Sequence, residues 1–193
     1  MIDTADHPYC SECDRTFNSM PNLMQHMRSS VHQGHNITCP FCKRNFVTAS
    51  GMTIHLESGT CTSGLNRHSI NNIIQRLDRG NVITRPLLTY DSQPNVENIA
   101  TERAYNYSTG LYECYLCNKD FRTLQSLNAH MKSPAHEMDI YKCPNGRCGT
   151  TFKLLSGLVM HIESETCGLM RFAMVQREAK NGIENMVGRM IRS

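Results

Sequence analysis

Residues 10–32 read CSECDRTFNSMPNLMQHMRSSVH, and residues 114–136 read CYLCNKDFRTLQSLNAHMKSPAH. The two stretches bring Cys10, Cys13, His26 and His32 into register with Cys114, Cys117, His130 and His136, at an offset of 104 residues. The repeat continues beyond them. Cys39 recurs as Cys143 and, after a two-residue insertion, Cys42, His55 and Cys61 recur as Cys148, His161 and Cys167. Self-similarity of this kind marks duplicated structural units.

Sixteen ligand-type residues thus form four quartets: Cys10, Cys13, His26, His32; Cys39, Cys42, His55, Cys61; Cys114, Cys117, His130, His136; and Cys143, Cys148, His161, Cys167. In the first and third quartets the gaps are two, twelve and five residues; in the second and fourth a thiolate replaces the last His. Two Cys on a hairpin turn and two ligands one to two turns along a helix converge tetrahedrally on Zn²⁺. Units this small cannot fold on apolar burial alone, and the metal supplies about 10–16 kcal/mol in isolated peptides. The burial that remains recurs in register. Phe17, Phe46, Phe121 and Phe152 each lie four residues after the second Cys, and Leu23, Met52, Leu127 and Leu158 each lie three before the ligand His. A disulfide framework would require neither the constant Cys-to-His interval nor these apolar positions. All ten Cys are therefore assigned to metal, with four Zn²⁺ expected per chain.

These quartets resemble the C₂H₂ zinc-finger family over 8–62 and 112–168. CDRTFNSMPNLMQHMRSSVH and CNKDFRTLQSLNAHMKSPAH, with five residues between their His ligands, are similar to the U1-like and double-stranded-RNA-binding subclass. The second half, from TERAYN through YECYLC to HIESETCG, is also similar to a group of fungal zinc-finger proteins. The resemblance implies small zinc-stabilised ββα fingers, nucleic acid as partner and a nuclear location. The final Cys of fingers two and four, and the lack of a TGEKP-type linker, depart from the usual family pattern.

The expected organisation is a finger pair over 8–62, an amphipathic helix over 63–81, a flexible linker over 82–111, a second finger pair over 112–168 and a C-terminal amphipathic helix over 169–193. The first helix presents Leu65, Ile70, Ile73, Ile74 and Leu77; the second presents Leu169, Phe172, Val175, Ala179, Ile183, Met186, Val187 and Met190. Each is expected to dock on the finger just before it, covering Ile54 in one repeat and Leu154 and Met160 in the other.

Base reading in duplex DNA uses helix positions −1, 3 and 6. These are Ser19, Asn22 and Gln25 in finger one, Thr48, Gly51 and Ile54 in finger two, Thr123, Ser126 and Ala129 in finger three, and Leu154, Gly157 and Met160 in finger four. Asn22 and Gln25 are suited to adenine, whereas no position holds Arg, the commonest guanine reader. With zinc and thiolates counted, the formal charge of +3 falls to about +1. Phosphate contacts therefore rest on a few side chains, with Lys43, Arg44, Lys119, Arg122 and Lys132 as candidates.

Nucleic acid is the expected partner, DNA in transcriptional regulation ahead of duplex RNA. The alternative is a zinc-stabilised protein-interaction module, with the C-terminal helix as a partner or self-association surface. Neither a membrane nor a small-molecule substrate is expected. Met1–Cys10 has two acids and no apolar run, which gives the expectation of no secretory signal. His55-Leu56-Glu57 and His161-Ile162-Glu163 superficially copy the H-x-E of zinc deaminases. Each His belongs to a complete quartet without an open ligand position, and no P-C-x-x-C follows, so no enzyme is expected and Glu57 and Glu163 are assigned to solvated helix surface.

Overall fold

The computed structural model describes residues 7–86 and 99–190, except for the side chains of 180 and 183–190. Each quartet sits in a small strand–helix unit. β1 (Tyr9–Cys10) pairs antiparallel with β2 (Arg15–Thr16) ahead of α1 (Met20–Met27). β3 (Ile37–Thr38) and β4 (Asn45–Phe46) likewise precede α2 (Ala49–Glu57), and α3 (Arg67–Leu77) follows. In the second half β6 (Leu111–Glu113) and β7 (Asp120–Phe121) precede α4 (Leu124–Lys132). β8 (Tyr141–Lys142) and β9 (Thr151–Phe152) then lead into α5 (Leu155–Glu163), and α6 (Phe172–Met190) ends the described chain.

The helices start where hydroxyl residues can cap them. Ser19, Thr48 and Thr123 adopt extended backbone and accept hydrogen bonds from the amides of Asn22, Gly51 and Ser126. At the other end, Ser133 leaves the helix in an extended conformation and a 3-10 turn, Pro134–His136, returns the last ligand toward the site. The turns at the paired Cys use left-handed backbone at Asp14 and Lys43, and at Gly149 in finger four.

The chain divides into two compact units, Met1–Ile73 with Val159–Ser193, and Ile74–Leu158, the division falling within α5. In the first unit Ile37, Ala49 and Met52 form a core joined by Phe46, Val159 and Ala179. Here α6 packs against α2, so the C-terminal helix lies on finger two, while Phe172 N–H and Gln176 Nε2 also donate to Glu165 and Glu163 at the end of finger four. Ile54 remains 47% exposed and Met160 52% exposed, contrary to the expected coverage. The physical reason is visible at the N-terminus of α2, where Ala49 N–H donates to Glu163 Oε1 and to Gln176 Oε1, both at 2.8 Å. A helix end offering unsatisfied amides attracts the carboxylate and amide of α5 and α6 more strongly than an isolated apolar side chain does. Ile70 is buried as an amphipathic α3 requires and Leu65 is buried just ahead of the helix, which begins at Arg67, while Leu77 is half exposed. Ile183, Met186, Val187 and Met190 lie outside the described side chains.

The second unit departs from a flexible linker at both ends of 82–111. Asp78 accepts the amides of Val82, Ile83 and Thr84 at 2.7–2.9 Å and the Thr84 hydroxyl at 2.8 Å. Burial opposes charge on Asp78, but these hydrogen bonds outweigh it and hold the carboxyl below its ordinary value. The turn lays 83–85 beside 140–142, with a bridge from Thr84 to Tyr141, and both side chains are fully buried. At the far end β5 (Tyr105–Asn106) adds a third strand to β6 and β7, with Tyr105 opposite Tyr112. Ala100 joins Cys114, Leu127 and Met131 in a core that Ala104 and Tyr112 flank. Hydrogen-bonding and apolar positions spaced for pairing across fingers explain the order; residues 87–98 of the expected linker lie outside the described residues.

Candidate metal centres and nucleic-acid face

All four expected quartets converge. In each, one ligand atom per residue lies within 4.8 Å of the others. None of the ten Cys, all of them described, is joined in a disulfide, so the disulfide alternative is absent. Cys39 Sγ and Cys61 Sγ stand 3.7 Å apart, against about 3.8 Å for two thiolates at a tetrahedral angle about 2.3 Å from one Zn²⁺. Cys42 Sγ and Cys117 Sγ lie 3.2 and 3.4 Å from Nε2 of His55 and His130. The paired imidazole nitrogens of His26 and His32, and of His130 and His136, are 2.8 and 2.9 Å apart and would open by about half an ångström around the ion. The donor sets fit four zinc ions per chain.

The recurring Phe performs a specific task. Phe17, Phe46 and Phe121 lie with ring centroids 4.8–4.9 Å from His26, His55 and His130, holding each imidazole so that Nε2 faces the site. Burial lowers the pKa of His26 and His130, reinforced by the neighbouring ligand His, so both stay neutral and able to bind metal. Burial pushes the Cys61 thiol up, but hydrogen bonds from Ser63, Cys39 and His55 outweigh it and bring the thiol down to about 6.

Several contributing residues escaped sequence reasoning. Glu12 Oε2 lies 2.8 Å from Nδ1 of His32 and orients that ligand from outside the quartet. The sulfurs of Met27 and Met131 pack 3.8 and 3.5 Å from Cys10 Sγ and Cys114 Sγ. The repeated His-Met pair at 26–27 and 130–131 was the available signal. Glu163 and Glu57, expected in solvent, are 5% and 7% exposed. Glu163 Oε1 also accepts Ser50 N–H at 3.3 Å and a hydrogen bond from Gln176 Nε2, so its role is to cap α2. Arg28, at the end of α1, pairs with Glu165 at 3.1 Å and lies over the Phe172 ring.

Asn22, Gln25, Lys43, Arg44, Lys119, Arg122 and Lys132 are all at the surface. The −1 positions are different, because Ser19, Thr48 and Thr123 direct their hydroxyls to their own helix amides. In finger two, seven of the nine residues of α2 are buried. Its helix start is occupied by Glu163 and Gln176.

Two segments match known families. Residues 111–137 match a model described as C2H2-type zinc finger, and residues 7–33 match one described as zinc-finger double-stranded RNA-binding. Fingers one and three are thus similar to C₂H₂-type fingers. Together the matches indicate zinc-dependent nucleic-acid binding. No curated protein matches the chain, and the similarity to fungal zinc-finger proteins rests on the residues quoted for it alone. Among the described residues no helix is long and apolar enough to cross a membrane.

Proposed function

We propose that the chain binds duplex nucleic acid through fingers one and three, with double-stranded RNA preferred to DNA, and that fingers two and four are chiefly structural. The observation that carries this reading is the use of Ser19 and Thr123 as helix caps, which removes one of three base-reading positions from each exposed finger. A-form duplexes are recognised by shape and by 2′-hydroxyl and phosphate contacts, which need few base-reading side chains. The match of 7–33 to a double-stranded-RNA-binding model supports the same partner. The exposed Lys119, Arg122 and Lys132 give finger three its phosphate contacts.

Four protein ligands at each zinc leave no position for a reacting water, which supports a structural and not a catalytic metal. A nuclear location goes with this reading and is tested by imaging the tagged chain. DNA binding in a transcriptional regulator is the rival, resting on Asn22 and Gln25, which face solvent and suit adenine. Electrophoretic titration of the zinc-loaded chain with duplex RNA, duplex DNA and single strands at several salt concentrations separates the two. Duplex RNA should bind tightest, with affinity falling as salt rises and lost on chelation. Tighter binding to DNA would favour the rival, and no binding to any duplex at low salt would refute both.

A further inference from the structure

The chain's excess of positive charge does not lie in its fingers. The first pair, 8–62, holds four Lys or Arg against three acids, and the second, 112–168, holds six against six. The helical segment between them, 63–81, holds three Arg and a single acid, Asp78. Both carboxylate oxygens of Asp78 are taken by the amides and hydroxyl of 82–84, and from Ser58 to Leu77 there is no acid at all. The C-terminal segment 169–193 is also basic, with five Lys or Arg against two acids. There, however, Gln176 is bonded to the start of α2, and Arg177 lies 3.5 Å from Glu178.

α3 has two distinct faces. Asn66 fixes its start, with Oδ1 accepting the Ser69 amide at 3.0 Å and the Ser69 hydroxyl at 3.2 Å. Ile70 is buried and Ile73 and Ile74 are half-buried on one side. Helical spacing puts Asn72, Gln75 and Arg76 on the other, with Arg79 in the turn that follows. Asn72, Arg76 and Arg79 are exposed and Gln75 is half-buried. Among the described residues, none of these four side chains has a hydrogen-bond or ion-pair partner.

A face that offers guanidinium groups and amides and carries no carboxylate is complementary to a polyanion. Arginine pairs bidentately with phosphate. A side-chain amide both donates and accepts, as a 2′-hydroxyl does. With its side chains a helix is about 10–12 Å across, which suits the wide, shallow minor groove of A-form RNA, where the 2′-hydroxyls are displayed. The minor groove of B-DNA, about 6 Å wide, is too narrow for it. We propose that α3 is a duplex-RNA-binding helix that lies in the minor groove, with Arg76 and Arg79 on the phosphates of its rim and Asn72 and Gln75 on 2′-hydroxyls. The proposal deepens the duplex-RNA reading above and rests on it, adding phosphate contacts from outside the near-neutral finger pairs.

The full zinc-loaded chain is titrated at several salt concentrations with an RNA duplex of about 20 base pairs and with a DNA duplex of the same sequence. The substituted side chains face away from buried Ile70, so each variant should keep four zinc per chain and its helical circular dichroism. Arg76→Ala combined with Arg79→Ala should weaken RNA binding about tenfold and reduce the salt slope by about 2. Asn72→Ala combined with Gln75→Ala should weaken RNA binding about tenfold and leave the DNA duplex unaffected, because DNA has no 2′-hydroxyl to lose. Wild-type affinity and slope in the zinc-loaded arginine variant overturn the proposal and leave the fingers as the binding surface. Equal losses on RNA and DNA in the amide variant overturn the minor-groove assignment. Lys119→Ala combined with Arg122→Ala separates the two readings: unchanged RNA binding there, with loss in the α3 variants, removes finger three and keeps α3. No binding of the wild-type chain to either duplex at low salt overturns both.

Discussion

Replacing Glu163 by Ala tests whether finger two is built around a carboxylate from α5. In the folded chain Glu163 Oε1 accepts the amides of Ala49 at 2.8 Å and Ser50 at 3.3 Å, together with Gln176 Nε2. Truncation deprives the first turn of α2 of a charged acceptor, which costs about 1–2 kcal/mol by analogy with a lost cap. The Ser50 amide and the Gln176 side chain would also need new partners in a buried setting, adding about 1–2 kcal/mol. Ala49 keeps the Gln176 oxygen, which holds the total to about 2–4 kcal/mol. Glu163→Gln retains an acceptor and loses the charge, so about 0.5–1 kcal/mol is expected. Amide hydrogen exchange of the zinc-loaded chain reads this locally. Ser50 should exchange on the order of 30-fold or more faster in the Ala variant, within severalfold of wild type in the Gln variant, with four zinc retained in both. Unchanged exchange in the Ala variant would refute the capping argument. A deaminase activity lost in the Gln variant would refute the structural assignment altogether.

Other outcomes follow from the same contacts. Chelation should release four zinc ions and abolish the finger helices by circular dichroism, because the small cores cannot hold them alone. Asp78→Ala should cost about 2–3 kcal/mol in urea unfolding, since three amides and a hydroxyl lose a charged acceptor. Folding lowers the Asp78 pKa below its unfolded value of 3.8, so its contribution is complete above that value and lost only as pH falls through the folded one. The difference between variant and wild type should therefore stay constant across the neutral range. Lys132→Ala should reduce the salt slope of duplex RNA binding by about 1, as one phosphate contact disappears; an unchanged slope would place Lys132 outside the interface.

The metal sites were legible because each ligand is fixed by local geometry. A turn sets Cys10 against Cys13, and the end of α1 with the turn after it sets His26 against His32; neither depends on the rest of the chain. The partners of the apolar helices were not legible. Val175 and Ala179 mark an apolar stripe on α6, but a stripe states that a face is buried and not what buries it. Sequence proximity pointed to finger four, whereas Ala49 and Met52 of finger two share their core with Ala179. Glu163 was misassigned for a related reason. A Glu late in a helix is ordinarily solvated, and only the distant N-terminus of α2 makes its burial favourable. Thr84 and Tyr105 joined strands that sequence periodicity could not detect, since each added segment is only two or three residues long.

The duplicated quartets therefore do not imply duplicated function. Ligand geometry constrains a finger's interior, while its capacity to read nucleic acid depends on whether the helix start and outer face remain open. In finger one Asn22 and Gln25 remain at the surface, and Ser19 alone is withdrawn as a cap. In finger two the equivalent helix start receives a carboxylate, which would repel a phosphate backbone even if the burial of α2 were relieved. Under the proposed function, this replacement of a backbone anion by a protein carboxylate is what would separate the work of two fingers whose metal sites differ only in the last ligand. On that reading, finger one offers its helix to a polyanion. The other uses that helix start to hold the C-terminal segment of the chain.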